Sequence, residues 1–292
     1  MNHRTRSILS FLGIVASLAV IWEGYKWMGQ TTGGTWPYTT VRLPIRTNAR
    51  SMPHLWDIAE SLFQPARRGG EDILLVILLR SAWFTFRSAA GGFLVGSAFG
   101  FGLGILFVRS SIAERGLMPY VVASQTVPVI AVAPILVIWG GRLGLPQAVQ
   151  VAVIAAYLAF FPVAINTLRG LRSPAATATE LLRSYAASPA QQLWKLQVPA
   201  ALPFLFPALR IAATASIIGA IVGELPAGLS RGLGRAILGF ASSFSSAPEK
   251  LFASVAVSAL VGILFVGLVA LVERSVVPPN RRVTVDAERP LA

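Results

Sequence analysis

The chain of 292 residues contains no cysteine. That excludes a disulfide framework, a thiol nucleophile and a zinc site built on thiolates. Charge is scarce as well, with 13% Asp, Glu, Lys and Arg against 54% hydrophobic residues. A soluble domain normally carries about 25% charged residues, so this chain cannot clothe itself in polar surface. The bilayer is the solvent its composition asks for, as the mean hydropathy of +0.66 also indicates. Histidines number two, His3 and His54, and no acidic or histidine cluster appears at metal-ligand spacing. No Gly-x-x-x-x-Gly-Lys-Ser/Thr loop occurs to hold nucleotide phosphates. The segment Gly228-Leu229-Ser230-Arg231-Gly232 has the letters of a nucleophile elbow. It lacks the strand before it and the histidine base near it that such chemistry requires. The net charge of +13 does not gather into one basic face. The basic residues punctuate apolar runs instead, where they set membrane orientation and meet anionic lipid head groups, so nucleic acid is not the partner.

A spanning helix needs about 20 mostly apolar residues. Six segments meet this: 8–28, 82–108, 118–139, 146–168, 202–222 and 251–272. The first reads as a retained anchor, because no small-residue cleavage site follows it. The short run Ile73–Leu79 reads as an interfacial lead-in before Arg80. The chain therefore divides into an N-terminal anchor (1–28), an extracytoplasmic segment (29–74), a membrane core (75–275) with a cytoplasmic loop at 169–201, and a cytoplasmic tail (276–292). Arg4, Arg6, Arg109, Arg115, Arg169, Arg172, Arg281 and Arg282 put both termini inside.

Gly92, Gly96, Gly100 and Gly104 recur every fourth residue and carve a smooth groove along one helix face. Another helix of the same chain, or of a second copy, can lie in it. Pro128 and Pro134 interrupt the third span and Pro162 the fourth. Freed backbone groups in a bilayer must find protein partners or line a watery cavity, so these prolines point either to kinks in a packed bundle or to a pathway.

Between the fourth and fifth spans lies a polar island, Glu180 to Pro199. A charged, helix-capable segment with membrane on both sides must sit on one bilayer surface. Its spacing resembles the cytoplasmic EAA loop of ABC importer permeases. Glu180-Leu181-Leu182 stands at the Glu-Ala-Ala position, Ala186 at the Gly, Leu196 at the Ile, and Val198-Pro199 at the Leu-Pro. Further pieces follow in the same order as in the permeases for sulfonates, taurine, nitrate, bicarbonate and thiamine or riboflavin precursors. They are Thr85-Phe86-Arg87, Thr126-Val127-Pro128, Phe160-Phe161-Pro162, Gly223-Glu224 and Gly232-Leu233-Gly234. Leu225-Pro226 is nearest the branch for pyrimidine or flavin precursors.

The resemblance implies an all-α polytopic membrane protein with six transmembrane helices and the type I ABC importer permease fold. It implies a subunit that passes a small polar or anionic solute into the cytoplasm and is not itself an enzyme. The implied partners are a second permease copy forming a homodimer, two ATP-binding subunits that use ATP and Mg, and an external substrate-binding protein. The chain itself binds no cofactor or metal, and it resides in the bacterial cytoplasmic membrane. A secondary carrier working alone is the alternative, but it favours inverted repeats with matching broken helices, which the sequence does not display.

In such permeases the EAA loop docks on the ATPase, which here assigns coupling to Glu180, Leu181, Leu182, Ala186, Ala187, Ser188, Pro189 and Leu196. Glu180 near a helix start would complement the dipole. Ala186 and Ala187 keep the turn slim. Ala186→Gly should be tolerated or slightly helpful to docking, at a cost of about 1 kcal/mol of local helix stability. Ser188-Pro189 reads as a fresh helix cap followed by proline at the first helical position. Otherwise the segment is an amphipathic connector on the head groups. Ionisable and polar residues within spans are functional candidates. Arg210 suits contact with an anionic substrate or an inward clamp on the coupling region. Glu224 suits an outer gate or a cap on the loop 226–232. Gln125, Thr126 and Asn166 suit interhelical hydrogen bonds or pore lining.

Overall fold

A computed structural model describes residues 3–66, 70–226 and 229–276. The expected basic tail with Arg281, Arg282 and Arg289 lies outside the described residues, as does Gly228. Every regular element described is helical: α1 (His3–Thr31), α2 (Leu55–Ser61), α3 (Leu74–Arg109), α4 (Ser111–Ser124), α5 (Val129–Arg142), α6 (Gln147–Leu171), α7 (Ala176–Ser184), α8 (Pro189–Gln192), a π-turn at Leu193–Gln197 running into α9 (Val198–Gly223), α10 (Leu233–Ser242) and α11 (Pro248–Val276). Among the described residues four helices are long and apolar enough to cross a membrane: α3, α6, the continuous Pro189–Gly223 rod, and α11. The α4–α5 pair adds a fifth if counted as one span. The expected anchor lies within α1, whose 29 residues give it the length of a sixth.

The third span is not the single helix expected over 118–139. It is two 14-residue helices bent by 98°. The cause is local. At the end of α4 the N–H groups of Gln125, Thr126 and Val127 tighten onto carbonyls three residues back. Pro128 then has no N–H to continue the ladder and holds Val127 out of the helical region. Pro128 sits in extended conformation as the N-cap of α5. Pro134 and Pro162, expected to interrupt their spans, lie inside continuous helices.

The chain forms two compact units. The first comprises Met1–Leu79 and Ala236–Val257. In it the segment after α1 folds back onto that helix. The Trp22 indole donates to the Pro53 carbonyl at 3.1 Å. Glu23 takes the His54 ring at 2.7 Å with one carboxylate oxygen and the Leu55 N–H at 2.9 Å with the other. Lys250 Nζ donates to the carbonyls of Pro65 and Ala66.

The second unit comprises Arg80–Arg235 and Ser258–Ala292, with α6 at its centre. The glycine stripe of α3 is filled by α6. A Cβ at Gly92 would meet the Ala152 carbonyl at 2.6 Å, one at Gly96 the Ala156 carbonyl at 2.5 Å, and one at Gly100 the Phe160 carbonyl. The intramolecular reading of the groove holds. On another face α9 approaches as closely, since a Cβ at Gly219 would sit 2.9 Å from the Cα of Ala155. Small residues thus let three helices pack backbone to backbone, which is how helices associate where lipid supplies no hydrophobic drive.

Candidate functional site

The segment expected to couple to an ATPase is a helix–turn–helix, α7 then α8, between the ends of α6 and α9. None of the nine residues of α7 is buried. Leu181 on α7, Tyr185 at its C-cap and Trp194 just after α8 are exposed, so the segment presents apolar side chains outward.

The turn joining the helices is a Schellman motif. The Ala187 N–H bonds the Leu182 carbonyl and the Ala186 N–H bonds the Arg183 carbonyl, both at 2.9 Å. Such a motif needs its second residue past the helix end in the left-handed region, normally a glycine. Here that residue is Ala186, at φ +53°. This corrects the local helix-stability cost expected for glycine there, because the position is left-handed rather than helical. The same motif closes α5, where Leu145 N–H bonds Gly140 and Gly144 N–H bonds Gly141. That copy does use a glycine, Gly144 at φ +69°.

The cap expected at Ser188-Pro189 is present. Ser188 Oγ accepts the Gln191 N–H, the Gln191 side chain accepts the Ser188 N–H at 2.8 Å, and Pro189 holds the first helical position. Glu180 departs from expectation. Because α7 begins at Ala176, Glu180 lies in its second turn, where the dipole argument no longer reaches. Leu196 is half-buried within the π-turn.

Two arginines brace this segment. Arg109, the last residue of α3, donates from Nη2 to the Pro189 carbonyl at 2.6 Å. Arg172, the C-cap of α6, pairs fork to fork with Glu114 of α4, at 2.8 Å (Nη1–Oε1) and 2.5 Å (Nη2–Oε2). The hydrogen bond to Glu114 raises the Arg172 guanidinium above its ordinary range. Sequence reasoning placed these residues in cytoplasmic segments but paired none of them.

The pathway candidates do not converge. Gln125 and Thr126 are exposed at the α4–α5 break, and Thr126 bonds back to the Ala123 carbonyl. Asn166 donates to the Pro162 carbonyl of its own helix. Arg210 was expected to contact an anionic substrate or to clamp the coupling region. It forms an ion pair with Glu273 near the end of α11, a carboxylate that falls one residue past the apolar run used to define the sixth span.

Glu224 is fully buried. Its carboxylate accepts the Thr85 hydroxyl at 2.8 Å and the Gly234 N–H at 2.8 Å, while the Thr85 oxygen accepts the Leu233 N–H at 2.9 Å. Glu224 and Thr85 together satisfy the first free N–H groups of α10. A Cβ at Gly232 would fall on the Glu224 carboxyl, and φ there is +108°. The cap reading is therefore the one the geometry favours, with the cap placed on α10. Ser230, the serine of the elbow-like motif, is exposed in a segment with no strand before it.

Known proteins agree with this architecture. The family model of binding-protein-dependent transport system inner membrane components matches residues 92–278. A Haemophilus influenzae protein named as an ABC transporter permease is 38% identical over 212 residues, 73% of this chain and 75% of that protein. The formylaminopyrimidine transport permease of Halalkalibacterium halodurans is 40% identical over 117 residues. That match spans 40% of this chain and only 45% of the relative. The riboflavin transport system permease of Chloroflexus aurantiacus is 34% identical over 168 residues, 56% of this chain and 59% of that protein. Among solved structures, the MetNI methionine ABC transporter matches with a TM-score of 0.59 at 19% identity, over 72% of this chain and all of that one. An amino acid ABC transporter matches with a TM-score of 0.57 at 16% identity, over 69% of this chain and 94% of that one. The all-α fold is thus that of ABC transporter membrane subunits, and the chain belongs to the family of binding-protein-dependent transport system inner membrane components.

Proposed function

We propose that this chain is the permease subunit of an ATP-driven importer, working as a homodimer with two ATPase subunits and an external binding protein. The solute is small and polar or anionic, within the range that the relatives' names span, from formylaminopyrimidine to taurine. Both termini face the cytoplasm. The observation that carries the reading is the unburied helix–turn–helix at 176–192. A nine-residue helix is too short to be stable alone in water, and α7 buries none of its residues against the rest of the chain. A groove on a soluble partner would supply what is missing, and Leu181, Tyr185 and Trp194 are the apolar groups such a groove would take.

The test is co-expression with the cognate ATPase and binding protein, followed by purification and reconstitution into vesicles. The complex should hold two copies each of permease and ATPase, and uptake should require ATP and the binding protein. Purified alone, the chain should not hydrolyse ATP. Uptake driven by an ion gradient without any ATPase would replace this reading with the secondary carrier. Failure of the ATPase to co-purify would leave the loop as a connector on the lipid head groups.

A further inference from the structure

We propose that the α3–α4 corner, residues 109–114, receives movement of the coupling loop and passes it to the broken span. Arg109, Glu114 and Arg172 are its positioning residues. This rests on the importer reading above. Both halves of the coupling loop are tied to this one corner. Its entrance is held where Arg172 grips Glu114 with two hydrogen bonds. Its second helix is held where Arg109 meets the Pro189 carbonyl.

The Arg172–Glu114 pair is a poor stabilising device. The arginine side chain is 50% exposed, and ion pairs of that kind contribute little to folding. Its two parallel bonds nevertheless fix direction, which a single point contact would not. Beyond Glu114 the path follows α4, which carries Pro119 in its interior. Val121 of α4 packs with Phe107, Phe160 and Leu168. At the far end of α4 the Tyr157 hydroxyl donates to the Ser124 carbonyl. The next residues, Gln125 and Thr126, are exposed, and their side chains bond back to Ser124 and Ala123 at the end of α4. A helix held at both ends and followed by a 98° bend is a lever ending in a joint.

The experiment uses the complete reconstituted complex and reads two rates together, ATP hydrolysis and solute uptake. Glu114→Ala and Arg172→Ala should leave hydrolysis near the wild-type rate. They should raise the ATP used per solute imported by roughly 5- to 150-fold, the usual range of coupling between sites. The swap of Glu114→Arg with Arg172→Glu should restore the ratio. Wild-type ratios in both alanine variants would overturn the inference while leaving the importer reading intact. So would loss of hydrolysis and uptake in proportion, with no rescue by the swap. If the wild-type complex itself shows no ATP-dependent uptake, the importer reading fails first.

Discussion

Ala186 offers a measurable test of whether backbone conformation or side-chain bulk governs the coupling turn. At φ +53° an L-residue carries the penalty of the left-handed region, about 1–2 kcal/mol. Glycine escapes that penalty but loses about 0.5–1 kcal/mol more backbone entropy on ordering. The difference leaves Ala186→Gly more stable by roughly 0.5–1 kcal/mol, a factor of about two to five in the population of the formed turn. Hydrogen exchange reads it directly. The Ala186 and Ala187 amides, bonded to Arg183 and Leu182, should gain protection by that factor. Gly144 in the equivalent turn after α5 is an internal reference. Ala186→Asn decides between the two causes, because asparagine is larger than alanine yet tolerates the left-handed region. If conformation governs, protection and ATPase retention follow Gly, then Asn, then Ala, with Ala186→Val and Ala186→Trp last. An asparagine variant less protected than alanine, with glycine unchanged, would refute the reasoning and restore a purely steric role.

Glu224→Ala should lower the melting temperature of the purified protein more than Glu224→Gln, because the alanine leaves the buried Gly234 N–H unpaired, at about 1–3 kcal/mol, while the Thr85 hydroxyl keeps the Ser81 carbonyl at 3.1 Å. Gly232→Ala should be comparably destabilising, since its Cβ falls on that carboxyl and its φ of +108° suits only glycine; a melt matching wild type would remove the cap from the account. Gly100→Leu should abolish folded protein in detergent by size-exclusion chromatography, whereas Gly102→Leu on the same helix should not, because a Cβ at Gly102 meets nothing within 4 Å. Ser188→Cys should be shielded from impermeant thiol reagents in intact cells and Ser243→Cys should react, and the reverse pattern would invert the topology.

What the sequence disclosed was whatever depends on runs and spacing. The apolar segments placed the long helices, the four-residue glycine repeat located a tight helix contact, and Ser188-Pro189 announced its own cap. What it withheld depends on three-dimensional pairing. Pro128 breaks its helix whereas Pro134 and Pro162 do not, because at Pro128 the preceding turn has already tightened to shorter bonds. Arg210 was legible as an intramembrane charge, but Glu273 lies more than sixty residues away and just past an apolar window, so hydropathy gives no reason to join them. Ala186 concealed its backbone sign because alanine is the residue most at home in a helix. Thr85, Glu224 and Gly232-Leu233-Gly234 were all visible as separate motif fragments. Their convergence on one buried carboxylate could not be read from order along the chain.

The 98° break bears on how the protein is made. Each of α4 and α5 has 14 residues, about 21 Å of axis, while the hydrocarbon layer is about 30 Å thick. Neither can leave the insertion machinery as an independent span, and the α4 half also carries Glu114 and Arg115, side chains that resist entry into lipid. Stable residence must wait until α6 has been synthesised. Only then does Arg172 exist to meet Glu114, Tyr157 to take the Ser124 carbonyl, and Gln150 to hold the Leu145 carbonyl at 2.7 Å beyond the end of α5. The bent pair is therefore committed to the membrane by a helix not yet made when translation of the pair ends, which makes biogenesis of this region concerted rather than sequential.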